Sequence, residues 1–320
     1  MTLDKINEEI NRAKNIAILT HENPDGDAIG SSLALYQALT ALNKEVCVII
    51  PEYSRIFDFL PYAEVIKKEY NGEKYDLVIC LDTATIKMLS VPIECFENAK
   101  STIIIDHHGT NTMYGDINFV NPDSPACSQV LITIFEYFKW EITKDIGTCL
   151  ITGIITDTGG FQYSNVKVET FEFAAELLSR GINIPDVYKR TLDTKTRPSF
   201  ELSKIATERM EFLEDGKIAF TYITLEDEKK VNSGTGDHEG IVNIGGSVEN
   251  VEVSIFIRQV KDNIYKVSLR ANEYVNVSDV CLIFGGGGHV KAAGCKMTGT
   301  VEQIKESLIK EVKLQLKKEG

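Results

Sequence analysis

No hydrophobic run in the sequence approaches the ~20 residues that a membrane-spanning helix requires. The first ten residues predict an amphipathic helix and not a signal peptide. None of the seven cysteines forms a Cys-x-x-Cys pair, and most of them lie in apolar segments. They are therefore expected to be reduced thiols of the core. Together these absences favour a cytoplasmic protein that does not contact the membrane.

The sequence also has few positive charges. It contains 34 Lys and Arg residues and 47 Asp and Glu residues, which gives a net charge of −13. Affinity for a long polyanion comes mainly from neutralising many phosphates, so long nucleic acid is disfavoured as a partner. A small phosphorylated substrate remains compatible, because bound cations and a few arginines can reverse the electric field in a local pocket.

The length of 320 residues, with 43% hydrophobic and 25% charged residues, predicts two domains. In the first half, apolar strand patterns alternate with helical patterns, which is typical of an α/β domain with a parallel sheet. The predicted strands of this domain are residues 16–20, 45–50, 76–81 and 101–105. Later strand patterns predict a smaller α+β domain. The expected domain boundaries are 1–190 and 213–320, with a helical linker at 191–212.

Acidic and imidazole side chains concentrate where the predicted strands of the first domain end. The stretch 21–32 contains the turn between the first strand and a helix predicted over residues 28–42, and the later strands run into further acids and histidines. Seven of these side chains are candidate ligands or catalysts: His21, Asp25, Asp27, Asp82, His107, His108 and Asp157. Because ligands of open α/β sheets bind at the carboxyl ends of the strands, these groups are expected to lie together.

An Asp-Gly-Asp sequence alone is most often just a turn. Four carboxylates and three imidazoles at one sheet edge, however, would repel one another or titrate unfavourably without a cation. Oxygen and imidazole ligands without thiolates favour Mn²⁺, with Mg²⁺, Co²⁺ or Zn²⁺ as substitutes. The number of candidate ligands predicts two ions, an arrangement suited to displacement at phosphorus.

The order of these motifs resembles the DHH phosphoesterase superfamily over almost the whole chain. The resemblance rests on His21-x-x-x-Asp25-Gly26-Asp27, then Asp82, Asp106-His107-His108, Asp157-Thr158-Gly159 and the run Gly285-Gly286-Gly287-Gly288-His289. The glycine run resembles the DHH-associated DHHA1 domain, and the length resembles the bifunctional oligoribonuclease/pAp phosphatase (nanoRNase) branch. This resemblance implies a Rossmann-like DHH domain, a smaller DHHA1 domain and an active site in the cleft between them.

The resemblance also implies roles for individual residues of the first domain. One metal would be held by His21, Asp25 and Asp82, and the other by Asp27, Asp82, His107 and Asp157, so that Asp82 bridges the two ions. His108 would contact the scissile phosphate or assist proton transfer, and Asp106 would orient a histidine.

In the second domain the glycine run is compatible with a flexible loop, but the resemblance implies that Gly287, Gly288 and His289 contact the substrate. Arg258 is the candidate for binding a terminal phosphate, because its planar guanidinium can donate two parallel hydrogen bonds to phosphate oxygens. Arg270 is more simply a solvated residue at a strand end, and the stretch 237–240 is more simply a helix start than a ligand set. Related sequences often carry an arginine where this chain has Gln162.

The expected function is metal-dependent hydrolysis of short oligoribonucleotides, including the linear dinucleotide pApA, to mononucleotides, and of pAp to AMP and phosphate. A manganese-dependent inorganic pyrophosphatase or a single-strand exonuclease of the same superfamily is the alternative enzyme. A non-catalytic nucleotide sensor is an alternative of another class, and a homodimer is compatible with the sequence.

Overall fold

The computed structural model describes residues 2–316 of the chain. The chain divides after Thr194 into two compact units, which we call the first and the second unit. Each unit has its own sheet, of five strands in the first and six in the second. The predicted fold class, an α/β domain with a parallel sheet followed by a smaller mixed domain, is confirmed.

The sheet of the first unit is entirely parallel and has the strand order β2-β1-β3-β4-β5. Its strands are β1 (Asn15–Leu19), β2 (Glu45–Val48), β3 (Leu77–Leu81), β4 (Ser101–Asp106) and β5 (Ile117–Val120). Strands β3 and β4 are buried along their whole length, which explains their continuous apolar sequences. The sequence did not predict β5, a short, partly exposed strand at the edge of the sheet.

Residues 2–194 of the first unit contain seven α-helices. They are α1 (Thr2–Arg12), α2 (Gly26–Ala41), α3 (Glu94–Glu97), α4 (Cys127–Phe138), α5 (Lys144–Asp157), α6 (Val168–Ser179) and α7 (Ile184–Tyr188). Asp25 caps α2, because its Oδ1 accepts hydrogen bonds from the backbone N–H groups of Asp27 at 2.9 Å and Ala28 at 3.1 Å. Helix α2 therefore begins two residues earlier than the sequence predicted.

Glycine allows helix α2 to pack closely against α5. A Cβ atom added to Gly30 would lie 2.3 Å from the backbone oxygen of Cys149 on α5. A Cβ atom added to Gly153 on α5 would lie 2.1 Å from Ser128 Oγ and 2.2 Å from Asp27 Oδ1. Since no side chain fits at these positions, the two helices approach closely enough to bring Asp27 and Asp157 to one end of the sheet.

All seven cysteines are free thiols and are buried, which confirms their assignment to the core. Burial raises the pKa of the Cys80 thiol, which lies in β3, and of the Cys149 thiol, which lies in α5. Within residues 2–316, no helix has both the length and the apolar character needed to cross a membrane.

The second unit contains a mixed sheet in the order β10-β11-β9-β8-β7-β6, in which only the β7–β8 pair is parallel among the described residues. Its strands are β6 (Glu211–Leu213), β7 (Ile218–Ile223), β8 (Val253–Lys261), β9 (Ile264–Ala271), β10 (Gly287–His289) and β11 (Ala292–Thr298). Its helices are α8 (Arg197–Glu208), α9 (Leu225–Val231), α10 (Ile241–Gly246), α11 (Val277–Ile283) and α12 (Val301–Leu316).

The glycine run differs from the flexible loop considered for it, because part of it forms strand β10. This strand pairs with β11 in a tight hairpin, with His289 opposite Ala292. Gly288 has a φ of +143°, and a Cβ atom there would lie 2.5 Å from the backbone oxygen of Ala292. The hairpin therefore requires glycine at this position.

Each face of the second sheet packs against different helices. On one face, Tyr265 and Val267 of β9 share a core with Ile304 and Leu308 of α12. On the other face, Phe256 of β8 shares a smaller core with residues of α8 and α10. Helix α8, which falls inside the segment expected as a linker, thus belongs to the packing of the second unit.

Candidate metal centre

The parallel sheet of the first unit delivers its acids and histidines to one edge. His21 follows β1, Asp82 follows β3, and Asp106 ends β4 immediately before His107. The start of α2 and the end of α5 bring three more aspartates to the same region. Among residues 2–316 the possible ligand atoms form three groups, and within each group the atoms all lie within 4.8 Å of one another. The groups are His21, Asp25 and Asp82; Asp27, His107 and Asp157; and Asp82, Asp106, His107 and His108.

Asp82 lies between the first two groups and faces both of them. Its Oδ2 is 3.5 Å from His21 Nε2, and its Oδ1 is 3.3 Å from His107 Nε2. The same His107 nitrogen is 3.3 Å from Asp157 Oδ2 and 4.0 Å from Asp27 Oδ2. The backbone of Asp82 has a φ of +52°, a left-handed conformation that is uncommon for residues other than glycine. Such conformations cluster at functional sites, where surrounding structure holds them.

The ring of His107 is oriented by its second nitrogen. His107 Nδ1 lies 3.3 Å from the backbone oxygen of Ser124. Because a carbonyl oxygen only accepts hydrogen bonds, Nδ1 carries a proton. Nε2 faces the carboxylates, where it is protonated without a metal and can offer its lone pair to a cation that replaces this proton. Metal-binding histidines are typically held in this way.

Asp27 has a structural contact that the sequence did not reveal. It is fully buried, and its two oxygens accept hydrogen bonds from the backbone N–H groups of Cys127 at 2.5 Å and Ser128 at 2.8 Å. These two residues begin helix α4, so the carboxylate also lies where the helix dipole favours negative charge. Asp27 therefore joins α2 to α4 at the edge of the cluster.

Asp106 is buried, and its hydrogen bonds orient His108. Its Oδ1 accepts hydrogen bonds of 2.8 Å from His108 Nδ1 and from the backbone N–H of His107. Its Oδ2 accepts a 2.6 Å hydrogen bond from Asn111 Nδ2, which also donates to the backbone oxygen of Thr83 at 3.2 Å. Asn111 is the residue of this site that the sequence analysis missed, since an asparagine five residues after Asp106 has no distinctive spacing.

The three imidazoles of the cluster hold protons more strongly than usual. Burial disfavours the charged form of His21, but the hydrogen bond to Asp82 and its charge outweigh burial and raise the pKa of His21 to about 9. The pKa of His107 is raised well above its usual value, since Asp82 again outweighs burial. The pKa of His108 is raised as well, because its hydrogen bond to Asp106 outweighs burial.

The pKa values of the carboxylates in the cluster shift in opposite directions. Burial, followed by the charge of Asp82, raises the pKa of Asp27 to about 7. Burial and the charges of neighbouring aspartates also raise the pKa of Asp157. Burial acts on Asp82 too, but hydrogen bonds from His107 and His21 outweigh it and hold the pKa of Asp82 below its usual range.

The donor set fits divalent cations. It consists of carboxylate oxygens and imidazole nitrogens without thiolates, which suits Mn²⁺ and similar ions. Asp82 Oδ1 is buried, and its 3.3 Å contact with His107 Nε2 falls short of a well-formed hydrogen bond, so this oxygen can take a further cationic partner. The raised pKa values of His21, His107 and Asp27 also indicate a cation site. Protons neutralise the negative charge of this cluster, and a divalent cation can replace them.

The predicted substrate contacts all lie in the second unit. Arg258 on β8 donates a 2.6 Å hydrogen bond from Nε to Glu228 Oε1 on α9, and it lines a cavity of about 390 Å³ together with Gly285 and Gly286 of the glycine run. Gly287, Gly288 and His289 form strand β10. In the first unit, Gln162 is exposed and donates its backbone N–H to the oxygen of Thr158.

Comparisons with known proteins assign the chain to a family. The family model described as "DHH family, N-terminal domain" matches residues 15–154, and the "DHHA1 domain" model matches residues 215–318. The chain belongs to the DHH family, which confirms the resemblance that the motifs indicated.

Individual relatives cover nearly the whole chain. A protein from Thermus thermophilus described as "Bifunctional oligoribonuclease and PAP phosphatase NrnA" is 34% identical, over 95% of this chain and 91% of its own length. A protein of the same description from Mycoplasma genitalium is 28% identical, over 93% and 94%. A solved structure described as an exopolyphosphatase-related protein from Bacteroides fragilis is 31% identical, with a TM-score of 0.88 over 99% of this chain and 98% of that one.

Proposed function

We propose that this chain is a metal-dependent phosphoesterase. Its substrates are short oligoribonucleotides, including pApA, which it hydrolyses to mononucleotides, and pAp, which it hydrolyses to AMP and phosphate. The observation that carries the proposal is the position of Asp82, whose two oxygens face two separate groups of oxygen and nitrogen ligands. The descriptions of the relatives from Thermus thermophilus and Mycoplasma genitalium support the choice of substrates.

The proposal includes two divalent cations, with Mn²⁺ preferred and Mg²⁺, Co²⁺ or Zn²⁺ as substitutes. His21, Asp25 and Asp82 would hold one ion. The other would be held by Asp27, Asp82, His107 and Asp157. Two cations at such a site supply charge stabilisation for a displacement at phosphorus. Two observations support this division: His21, Asp25 and Asp82 form one group of ligand atoms, and His107 of the second group lies 3.3 Å from Asp82 Oδ1.

His108 is the proposed catalytic residue of the chain itself, with Asp106 as its positioning residue. Because Asp106 Oδ1 accepts the proton of His108 Nδ1, the ring presents Nε2 for a proton or for a hydrogen bond to the phosphate. The side chain of His108 is 24% exposed, against 8% for His107, so it is the more accessible of the two to a substrate.

In the second domain, Arg258, Gly287, Gly288 and His289 are the proposed substrate contacts. Arg258 would bind a terminal phosphate, and its position in a cavity supports this role. The reaction is proposed to take place in the cytoplasm, an assignment supported by seven unpaired cysteines.

The experiment is a side-by-side hydrolysis assay with the purified full-length chain. pAp, pApA, a short RNA, a long single-stranded RNA and inorganic pyrophosphate are each incubated with Mn²⁺, Mg²⁺, Co²⁺ or Zn²⁺, and products are separated by chromatography. We expect AMP from pAp and mononucleotides from pApA, with Mn²⁺ giving the highest rate. Release of phosphate from pyrophosphate alone, or cleavage of the long strand alone, would replace the proposal by the corresponding alternative.

Two variants make this assay specific to the site. Asp157→Asn removes a proposed ligand and is expected to abolish hydrolysis of both nucleotides. Asp123→Asn changes an aspartate that is 91% exposed and pairs with Lys167 at 3.2 Å, and it is expected to leave both rates unchanged. Nucleotide binding without hydrolysis by the unmodified chain would identify a sensor and not an enzyme.

A further inference from the structure

The hairpin of β10 and β11 carries His289, one of the proposed substrate contacts, but it has little to hold it in place by itself. Strand β10 has three residues at the edge of the sheet, and Val290 and Lys291 form the loop to β11. So short an edge strand forms few ladder hydrogen bonds, and its glycines have high conformational freedom. Gly288, His289 and Val290 are exposed. The position of His289 therefore depends on the structure beside the hairpin.

The segment 271–278, which runs from the end of β9 into the first turn of α11, supports this hairpin, and we call it the supporting segment. Four hydrogen bonds join it to the hairpin: Val277 N–H to Val290 O (2.9 Å), Ala271 N–H to Lys291 O (3.0 Å), Ser278 Oγ to Gly288 O (3.0 Å) and Lys291 Nζ to Glu273 O. Both carbonyl groups of the hairpin loop are therefore bound by the supporting segment. The conformation of the hairpin follows from the conformation of this segment.

The middle of the supporting segment is bound by Glu252, which lies immediately before β8. Residues 272–276 form neither helix nor strand, so regular structure does not fix their backbone. Glu252 Oε1 accepts hydrogen bonds from the backbone N–H groups of Tyr274 and Val275, both at 2.8 Å. Its Oε2 accepts a third, from the N–H of Glu273 at 3.0 Å. Three successive N–H groups thus converge on one carboxylate, an arrangement that binds anions and fixes the backbone around them.

Glu252 is buried without a counter-charge. It is 4% exposed, and among residues 2–316 no lysine, arginine or histidine forms an ion pair with it. Burying a carboxylate costs free energy unless an ion pair or several hydrogen bonds offset the cost. At Glu252 the three backbone N–H groups provide this offset. An uncharged side chain would avoid the cost but could not accept all three hydrogen bonds, so the conformation that the carboxylate imposes explains its presence.

We propose that Glu252 is a positioning residue for substrate binding. It fixes the supporting segment, and the supporting segment holds the hairpin in the conformation in which His289 contacts the nucleotide. The side chain of Glu252 has backbone N–H groups as its partners and lies inside the second unit. The inference rests on the proposed function and deepens it, because affinity for the nucleotide then depends on a buried residue that makes no contact with it.

The first test observes the hairpin without any nucleotide. Glu252→Gln keeps the size of the side chain and its bonds to Tyr274 and Val275, but its amide group directs an N–H donor toward the N–H of Glu273. Glu249→Gln removes the same charge from an exposed side chain and is the control. Hydrogen exchange of the full-length variants is followed by mass spectrometry of peptides that cover residues 271–278, 285–292 and, as a reference, strand β7.

We expect hydrogen exchange in residues 271–278 and 285–292 to be about tenfold faster in Glu252→Gln, because a buried N–H group without an acceptor weakens the local structure. Exchange in β7 should not change, and Glu249→Gln should match the unmodified chain throughout. Equal acceleration in β7 would show that Glu252 stabilises the whole unit, and unchanged exchange in 285–292 would show that it does not hold the hairpin. Either result overturns the proposal.

The second test separates substrate binding from catalysis. With Mn²⁺, Glu252→Gln should raise KM for pAp about tenfold while kcat is retained, because binding common to the ground state and the transition state is lost. The amount of Mn²⁺ bound per chain, measured by equilibrium dialysis, should not change, since the proposed metal ligands belong to the first unit. An unchanged KM, or a kcat that falls as much as kcat/KM, overturns the proposal. Failure of the proposed function is seen separately, as absence of hydrolysis by the unmodified chain, and hydrogen exchange still tests Glu252 in that case.

A second variant covers the case in which Glu252→Gln does not fold. Gln315 on α12 binds the same segment near its other end, where its Oε1 accepts a 2.9 Å hydrogen bond from the N–H of Asn276 and its Nε2 donates one of 3.1 Å to Asn276 O. Gln315→Met removes both bonds and has a similar volume. It should accelerate exchange in 285–292 and raise KM for pAp with kcat retained, and unchanged values would overturn the role of the supporting segment.

Discussion

His108 Nδ1 donates a hydrogen bond of 2.8 Å to Asp106 Oδ1, and this contact fixes the orientation of the imidazole ring. The same carboxylate is bound by the backbone of His107 and by Asn111, so it has no freedom to turn away. The two adjacent histidines, His107 and His108, therefore differ in their contacts. His107 presents Nε2 to the carboxylates of the cluster, whereas the ring of His108 is bound to Asp106 and is the more exposed of the two.

The first prediction concerns this contact. Asp106→Asn should lower kcat for pAp by about 10²-fold with little change in KM, because loss of a residue that orients a catalytic or ligand histidine typically has an effect of this size. Steady-state phosphate release measures both constants. Asp116→Asn is the control, since this aspartate accepts hydrogen bonds from Thr102 and lies outside the cluster. An unchanged kcat in Asp106→Asn would remove Asp106 from the mechanism.

The second prediction separates the charge of Asp82 from its backbone conformation. Asparagine tolerates a positive φ as aspartate does, so Asp82→Asn should keep the fold while reducing the Mn²⁺ bound per chain and abolishing hydrolysis. Asp82→Ala should bind as little Mn²⁺ and in addition be about 1 kcal/mol less stable, because alanine is strained at the φ of +52°. Metal analysis after dialysis and chemical denaturation measure the two effects. Full Mn²⁺ occupancy in Asp82→Asn would contradict the bridging role.

The third prediction is a pH dependence of the metal-free chain. Raising the pKa of His21 from its usual 6.5 to about 9 contributes stability that is complete below pH 6.5 and is lost as the pH rises through 9. Raising the pKa of Asp27 from its usual 3.8 to about 7 acts in the same direction, because the folded chain binds more protons than the unfolded one between these values. In EDTA the melting temperature should therefore fall between about pH 6 and pH 9.

Mn²⁺ should reverse this loss, because cations replace the protons that leave the site. The rise in melting temperature on adding Mn²⁺ should be larger at the higher pH, and calorimetry at both pH values measures it. A metal-free melting temperature that increases over the same range would contradict the account.

The fourth prediction tests the helix contact that carries Asp27 and Asp157. Gly153→Ala places a Cβ atom 2.2 Å from Asp27 Oδ1, so helices α2 and α5 must separate or the carboxylate must move. We expect weaker Mn²⁺ binding and a loss of about 1–3 kcal/mol in the free energy of unfolding, as is usual for overpacking. In Gly246→Ala the nearest atoms lie at 3.8 Å, and this control should bind Mn²⁺ normally. Equilibrium dialysis with Mn²⁺ distinguishes the two variants.

The sequence predicted the fold class and the cluster because both follow from regular patterns. Continuous apolar runs predict buried parallel strands, and parallel strands direct the residues after them, such as His21 and Asp82, to the same edge. The sequence did not predict the role of Asn111, since its hydrogen bond to Asp106 depends on how the loop after β4 folds back. The partly exposed edge strand β5 and the short strand β10 lack a clear period, and they form because a neighbouring strand offers hydrogen bonds.

Arg258 illustrates a different kind of incomplete prediction. Its residue type indicated a phosphate contact, but its partner Glu228 and its alignment with Lys266 and Lys296 across the sheet depend on strand register. Register brings together residues that are eight to thirty positions apart in this chain, and hydrophobic patterns alone do not specify which polar residues will be opposite each other.

Because every cysteine is buried, the rate of thiol labelling measures how fast the structure unfolds locally. A thiol reagent reacts with thiolates that reach solvent, so labelling should proceed only as fast as the structure exposes them. Five of the seven thiols lie in the first unit, and Cys281 and Cys295 lie in the second. Mass spectrometry of labelled peptides can therefore time the unfolding of each unit separately, and Mn²⁺ should slow the labelling of the first unit selectively.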